Sequence, residues 1–314
     1  MLDVILAGTG GMMPLPNRFL TSLFVEIEGR AILIDCGEGT QVALKRVDCK
    51  LSRIKMLLIT HFHADHISGL PGLLLSLGNA GKTDSLIIAG PRGLRRIVES
   101  LTVICPGLPF ALDIRELDTR EPSSFDWTDG ENHANTPHFT ITSLPMRHRI
   151  PCLGYFLELK RPPVFNPEKA KNLDIPLKFY RVLHSGTSVT LDDGRVITTE
   201  MVTDGSRKPV KISYCTDSAP FASIADFAYE SDLFVCEGMY ADDAMRDSME
   251  DKRHMLFSDA ARLAKQANVK ELWLTHFSPA EINPKAGLQS VRRIFENTVI
   301  PTDGYHKELI KQGG

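Results

Sequence analysis

Short oily runs alternate with glycine turns along the first third of the chain. "DVILAGTGG" is expected to form a strand entering a Gly-rich turn. "TSLFVEIEG" alternates apolar and polar residues with the period of two that a half-buried strand requires. "RAILIDCGEGT" suggests a buried strand ending in a glycine loop, "TQVALKRV" a short helix and "IKMLLITH" another buried strand. "ISGLPGLLLSLGNA" has helical apolar spacing, and Pro71 fits its first turn, where a missing N–H costs nothing. "SLIIAG" and "PRGLRRIVESLTVI" repeat the strand-then-helix order. From Phe110 to Leu159 strands dominate, in "FALDIREL", "HFTITSLPM" and "CLGYFLEL". Further on, "VKISYCTDS" and "SDLFVCEG" are strands, "HMLFSDAARLAKQAN" is an amphipathic helix and "KELWLTHFS" is a last core strand.

Residues 160–199 break this texture. They hold four prolines, many charges and few large apolar side chains, and form an excursion from the core, either a lid or an arm. One echo links the two ends of the chain: "KMLLITHFHADH" and "KELWLTHFSPAE" are both oily strands that end in Thr-His-Phe. A two-halved sheet sandwich with one site along its rim would produce this. No short-period repeat is present, so a solenoid is not expected. Strands alternating with helices make the class α/β or α+β with two sheets.

Composition narrows the class. The chain has 314 residues, 43% of them apolar and 24% charged, enough for a sizeable core in one large or two ordinary domains. No apolar run is long enough to span a bilayer. "MLDVILAGTGG" has no basic n-region, so no signal peptide is expected. The six cysteines are scattered without a CxxC pair, which suits reduced thiols in a cytoplasm. The formal net charge of −3 argues against a general nucleic-acid binder, though a local basic patch remains open.

The chemistry is concentrated in a few places. "LAGTGGMMP" imitates the start of a dinucleotide fingerprint, but Met13 stands where the third glycine belongs and Pro14 follows. Cys36 in "DCGEG" suits a small buried residue better than a nucleophile. "HFHADH" is different. His61 and His63 sit two apart at a strand end and are expected to point the same way, with Asp65 and His66 where the chain begins to coil. Imidazole and carboxylate suit zinc, iron or manganese, and the absence of cysteine argues against a purely structural zinc.

HxHxDH at the end of such a strand resembles the metallo-β-lactamase superfamily. Its fold is an αββα sandwich, class α+β, with two mixed sheets flanked by helices and metals at one sheet edge. The resemblance implies the other ligands: His148 in "RHRIPCLGY", Asp217 in "YCTDSAP" and His276 in "LWLTHFS". It implies one ion on His61, His63 and His148 and another on Asp65, His66 and His276, with Asp217 and a water between them. Two such metals suit phosphoester hydrolysis. Asp65 would accept a proton from the water. Asp35 in "DCGEG" resembles a carboxylate that orients a ligand imidazole, with capping of a turn as its plain alternative. Zinc is the implied metal; manganese and iron also fit these ligands.

Nearly the whole chain is similar to the ribonuclease Z family, the tRNA 3′-processing endonucleases. "GTGGMMP", "DCGEGTQ", "THFHADHISGLPGLL", "HRIPCLGY", "LDDGRVI" and "LTHFS" fall in that family's order and spacing. The resemblance implies a single domain over 1–314 with an inserted arm at about 160–199. It implies removal of the 3′ trailer of precursor tRNA by a metal-bridging hydroxide, leaving a 3′-hydroxyl on the tRNA. In the family a Glu pairs with a His beginning a later helix; here these are Glu237 in "VCEGMY" and His254 in "DKRHMLF". His254 would protonate the leaving oxygen while Glu237 orients it; a helix cap is the alternative role of His254. Arg18 and Ser278 are the expected RNA contacts near the cut. On the arm, Lys160, Arg161, Lys169, Lys171, Lys178 and Arg181 would meet phosphates, unless it is an ordinary charged loop. The family arrangement also implies a homodimer in which the arm serves tRNA held by the other subunit, with no membrane partner.

Several motifs depart from the family's. "PLPNRF" has Pro16 and Phe19 where Lys and Asn are usual, Cys236 and Gly238 alter the Glu237 motif, and Ala280 and Glu281 replace an Arg-Tyr pair. The arm carries "DIPLKFYRV" in place of a Gly-Pro tip. These leave other outcomes open: a phosphodiesterase for a small cyclic nucleotide or short oligonucleotide, a non-catalytic RNA-binding scaffold, or a thioester or lactam hydrolase.

Overall fold

The computed structural model describes residues 1–128, 138–161, 163–205 and 207–310. The strands, in chain order, are β1 (Leu2–Gly8), β2 (Ser22–Ile27), β3 (Arg30–Ile34), β4 (Ile54–Leu58), β5 (Leu86–Pro91), β6 (Leu112–Leu117), β7 (Ser123–Thr128), β8 (His138–Pro145), β9 (Leu153–Lys160), β10 (Val189–Thr190), β11 (Val196–Ile197), β12 (Val210–Cys215), β13 (Leu233–Glu237), β14 (Leu272–Thr275), β15 (Thr298–Val299) and β16 (Tyr305–Ile310). One sheet has the order β16-β1-β2-β3-β4-β5-β6, the other β15-β14-β13-β12-β9-β8-β7. The first is antiparallel from β16 to β3 and parallel from β3 to β6. In the second, β12 to β15 run parallel.

The helices that matter here are α1 (Thr40–Arg46), α2 (Ala64–Ile67), α3 (Leu70–Asn79), α4 (Leu94–Thr102), α5 (Pro167–Asn172), α6 (Tyr180–His184), α7 (Ala222–Phe227), α8 (Arg246–Lys252), α9 (Phe257–Gln266) and α10 (Leu288–Arg292). The continuous apolar runs of β3 and β4 are what strands covered on both faces require. Ala31, Leu33, Ile54 and Leu57 pack against Ala43 and Leu44 of α1, Leu73 and Leu77 of α3 and Val98 of α4. The alternate residues Ile32, Ile34, Met56 and Leu58 are buried as well, and strand alternation turns them to the other face. There the second sheet is tied on: Tyr155 donates its O–H to the Ile59 carbonyl at 2.6 Å, and Thr21 and Thr275 hydroxyls meet at 2.6 Å. The outer face of the second sheet, with Phe234, Cys236, Leu272 and Leu274, packs on Ala260, Ala261 and Ala264 of α9. The result is helices, sheet, sheet, helices: the expected α+β sandwich.

Two local expectations change. "KELWLTHFS" is not the last core strand, because β16 closes the first sheet against β1. "ISGLPGLLLSLGNA" is two helices, broken at Ser68 and Gly69. The break follows from a backbone contact, since a Cβ on Gly69 would stand 1.9 Å from the Gly37 carbonyl oxygen, and one on Gly37 would stand 2.0 Å from that of Asp65. The "DCGEG" loop and the metal-motif turn therefore interlock through two glycines.

The chain clusters into two compact units. The larger comprises Met1–Ser124, Thr142–Leu157 and Lys211–Gly314, the smaller Phe125–Ile141 and Glu158–Val210. The smaller contains the arm, of which Pro162 lies outside the described residues. It is more than an excursion, because it has a core of its own. Ala170, Ile175, Leu183, Val189, Leu191, Ile197 and Val202 are buried together, with Phe165, Phe179 and Tyr180 against them. Asn166 caps α5 by accepting from Glu168 N at 2.9 Å and Lys169 N at 3.1 Å. Pro and charge density in the sequence hid a core spread over many short elements.

Candidate metal centre

Every candidate ligand follows the C-terminal end of a strand. His61, His63, Asp65 and His66 follow β4, His148 follows β8, Asp217 follows β12 and His276 follows β14. Neighbouring parallel strands end at one edge, so their trailing residues converge there. The pleat does not aim His61 and His63, however. β4 ends at Leu58, and the two histidines lie in the irregular segment before α2. Their convergence comes from that turn.

Two groups form. His61 Nε2 is 3.0 Å from His63 Nδ1, and His148 Nε2 is 3.3 Å from the same atom. Asp217 Oδ2 lies 3.5 Å from His61 Nε2 and 3.9 Å from His148 Nε2. In the second group, His66 Nε2 is 3.2 Å from His276 Nε2, and Asp65 Oδ2 is 3.4 Å from each. Asp217 turns its other oxygen to this group, with Oδ1 3.3 Å from His66 Nε2 and 3.2 Å from His276 Nε2. Asp217 thus faces both groups, one oxygen each. Asp35, Asp217 and His276 all adopt left-handed backbone, with φ of 62°, 51° and 59°. Such strain is held only where surrounding structure enforces it, and it clusters here.

The donor set fits divalent ions. Two such ring nitrogens can satisfy each other only where one carries the proton and the other does not, and His63 Nδ1 faces two partners at once. A cation among them satisfies all of them. The titration of the groups points the same way. Burial would lower His276, but Asp217, Asp65 and Glu237 push it up to about 10. His66, buried likewise, is raised by Asp217 and Asp35. Burial would raise Asp65 and Asp217; the surrounding histidines instead hold both well below the usual carboxylate range. The cluster draws in protons where a metal would supply the positive charge. His61, His63 and His148 are lowered, chiefly by burial, and so present neutral nitrogens.

The groups behind the ligands are equally placed. Asp35 Oδ2 is 2.8 Å from His66 Nδ1, and Asp35 Oδ1 accepts the Thr60 N–H at 2.8 Å. Asp35 is fully buried and is not a turn cap. Arg253 O stands 3.3 Å from His148 Nδ1, and the Arg253 guanidinium donates to the His148 carbonyl at 2.7 Å. Glu237 Oε2 is 2.9 Å from His254 Nδ1, and its Oε1 accepts the Ser218 N–H. His254 does not cap α9, whose N-cap is Leu256. Burial would lower His254, but Glu237 and Asp217 raise it above the ordinary imidazole value. Cys36 and Cys152 are buried thiols pushed up by desolvation, which leaves them inert.

Two contacts escaped the sequence reading. Met12 donates its N–H to Asp65 Oδ2 at 2.6 Å. Gly11 lies so close to His276 that a Cβ there would stand 2.7 Å from the ring. The "GTGGMM" turn is a cradle for this centre, and only its strand-then-glycine pattern was visible beforehand. Conversely, Arg18 and Ser278 are occupied within the protein. Arg18 donates to the carbonyls of Ser278, Glu281 and Ile282 at 3.1, 2.9 and 3.3 Å. Ser278 Oγ donates to Tyr240 Oη at 2.7 Å and accepts the Ala280 N–H. Both brace the loop after β14. On the arm, Lys169 pairs with Asp204 at 2.8 Å and Lys178 with Asp192 at 3.2 Å, while Lys171 and Arg181 are exposed.

Solved structures share the architecture. The human short form of tRNase Z (ELAC1) superposes with a TM-score of 0.66 at 24% identity, covering 98% of this chain and 100% of that one. YhfI of Bacillus subtilis, a metallo-beta-lactamase fold protein, gives 0.65 at 20% identity over 98% of each chain. A diphosphatase from the PhnP family gives 0.63 at 14% identity, covering 99% of this chain and 98% of that one. Fold and paired clusters together define a protein of the metallo-β-lactamase fold with a candidate centre for divalent metal ions. A family model described as Anti-Pycsar protein Apyc1 matches residues 2–91. Ribonuclease Z of Lachnospira eligens is 45% identical over 98% of both chains, and that of Agathobacter rectalis 46% identical over 99% of both. The chain belongs to the ribonuclease Z family.

Proposed function

We propose that this protein removes the 3′ trailer of precursor tRNA by a single endonucleolytic cut that leaves a 3′-hydroxyl on the tRNA. The observation that carries the reading is Asp217, one oxygen facing each histidine group, with the Glu237–His254 pair 4.0 Å away, in a chain of ribonuclease Z ancestry. His61, His63 and His148 would hold one ion and Asp65, His66 and His276 the other, with Asp217 shared; zinc suits this nitrogen-rich set. Divalent ions bound there supply a nucleophile at neutral pH and offset charge on the phosphoryl oxygens.

The remaining work belongs to side chains. Asp65, kept ionised by His276 and His66 and oriented by the Met12 N–H, accepts the proton of the attacking water. His254, kept protonated by Glu237, gives its proton to the departing 3′-oxygen. The smaller unit would supply phosphate contacts away from the cut, through the exposed Lys171 and Arg181 among others. We further infer a cytoplasmic homodimer in which this unit serves tRNA on the other subunit. Among the described residues no helix is long and apolar enough to cross a membrane.

Purified protein offered a precursor tRNA and a small chromogenic phosphodiester tests the reading. The expected result is one cut next to the last tRNA nucleotide. Turnover of the small ester with the RNA left intact would overturn it. That outcome would favour the second reading, a small-phosphoester hydrolase, which the fold permits because a diphosphatase shares it.

A further inference from the structure

A cavity of about 450 Å³ opens beside the metal centre, within the roughly 300–1,000 Å³ range of small-ligand sites. His63, His148 and His254 form one side of it. Much of the rest is apolar. Four of the chain's ten methionines, Met12, Met13, Met239 and Met249, converge there with Tyr240 and Ala280. Met239 and Met249 are buried to 2% exposure and pack with Leu256, so the floor is firm. Met12 and Met13 are 57% and 52% exposed at the mouth. The Ser278 hydroxyl is engaged within this wall, donating to Tyr240 Oη and accepting from Ala280 N. Arg149 and Lys252 add positive charge to the lining, and Arg149 is anchored on the Asp251 carbonyl at 3.0 Å.

We propose that this cavity receives the nucleoside on the 5′ side of the cut and holds its base between methionines without reading its identity. The inference rests on the tRNA reading above and deepens it. The side of the cut follows from His254. The group it protonates is the departing 3′-oxygen, so the nucleoside bearing that oxygen must lie against the wall that contains His254. The occupant follows from chemistry. Flexible, polarisable thioethers pack well on an aromatic ring and adapt to its outline. Arg149 and Lys252 suit the phosphates flanking such a nucleoside. Tolerance of base identity is expected because adaptable thioethers, rather than a fixed pattern of donors and acceptors, would flank the base.

The test compares kcat/KM on precursor tRNAs that carry an abasic residue just 5′ or just 3′ of the cut with the intact precursor. The 5′ abasic substrate is expected to lose on the order of tenfold, the scale of one packed base. The 3′ abasic substrate should stay within about twofold, and the four bases at the 5′ position within about threefold of one another. An Ala280→Trp substitution, which fills the cavity, should bring the intact-to-abasic ratio close to one, with metal content and Tm checked alongside. If that variant does not fold, the wild-type ratio decides alone. Equal cleavage of intact and 5′ abasic RNA, or a loss confined to the 3′ abasic RNA, overturns the proposal. Failure to cut the intact precursor at all overturns the reading on which it rests.

Discussion

Asp35 shows how a buried carboxylate acts at one remove. Its oxygen lies 2.8 Å from His66 Nδ1, and a proton held between them would leave Nε2 to offer its lone pair to a bound ion. Asp35→Asn keeps the shape but can offer an N–H there instead. It is expected to cost about 10–100-fold in metal affinity, read by competition with a chromophoric chelator. Glu237 acts on His254 in a different way. In the proposed mechanism the rate depends on the protonated imidazole, so it is expected to fall as pH rises through the His254 pKa. Glu237 raises that pKa against the effect of burial. In Glu237→Gln the alkaline fall should therefore begin at lower pH than in the wild type, in a profile of kcat against pH. His254→Ala is expected to lower kcat by about 10²–10⁴-fold with metal content unchanged. At this scale the ligand types were legible, because HxHxDH is dense and local. Met12 was not, since a backbone N–H leaves no trace in residue identity.

At the level of elements, the loops after β1 and β3 carry as much of the site as the strand ends do. Gly11 faces the His276 ring, and a Cβ would stand 2.7 Å from it. Gly11→Ala is expected to displace His276 and release the ion of the Asp65–His66–His276 group, while the other group keeps its ion. Elemental analysis of the purified variant checks this. The interlock of Gly37 with Gly69 explains why a helical apolar pattern splits into α2 and α3: two backbones meet where any side chain would intrude. Periodicity alone could not show it. In the proposed reading the smaller unit contributes substrate affinity. Replacing its residues 163–205 by a short linker should lower kcat/KM on precursor tRNA by about a hundredfold or more, because a second attachment is lost. Turnover of a small phosphodiester should stay close to wild type. Comparable losses on both substrates would show that the unit supports the fold instead.

Across the whole molecule, the metal groups join the two sheets. His61, His63, Asp65 and His66 come from the first sheet, and His148, Asp217 and His276 from the second. Metal bound only by the folded chain should therefore stabilise it, by roughly 4 kcal/mol when free metal is a thousandfold above its dissociation constant. Calorimetry with and without a strong chelator should show a Tm lowered by several degrees, restored on adding metal back. What the residues alone determined is the class and the chemistry. Continuous apolar runs specify strands buried on both faces, and a dense His/Asp motif specifies metal ligands, because both signals are local along the chain. Only the tertiary structure decided the rest. It gave Asp217 one oxygen for each group, drew Arg18 and Ser278 inward to brace a loop, assembled a separate core in the smaller unit, and brought Met12 and Met13 into one wall with Met239 and Met249. Each of these depends on contacts between residues far apart in sequence, and such contacts exist only once the sheets have packed.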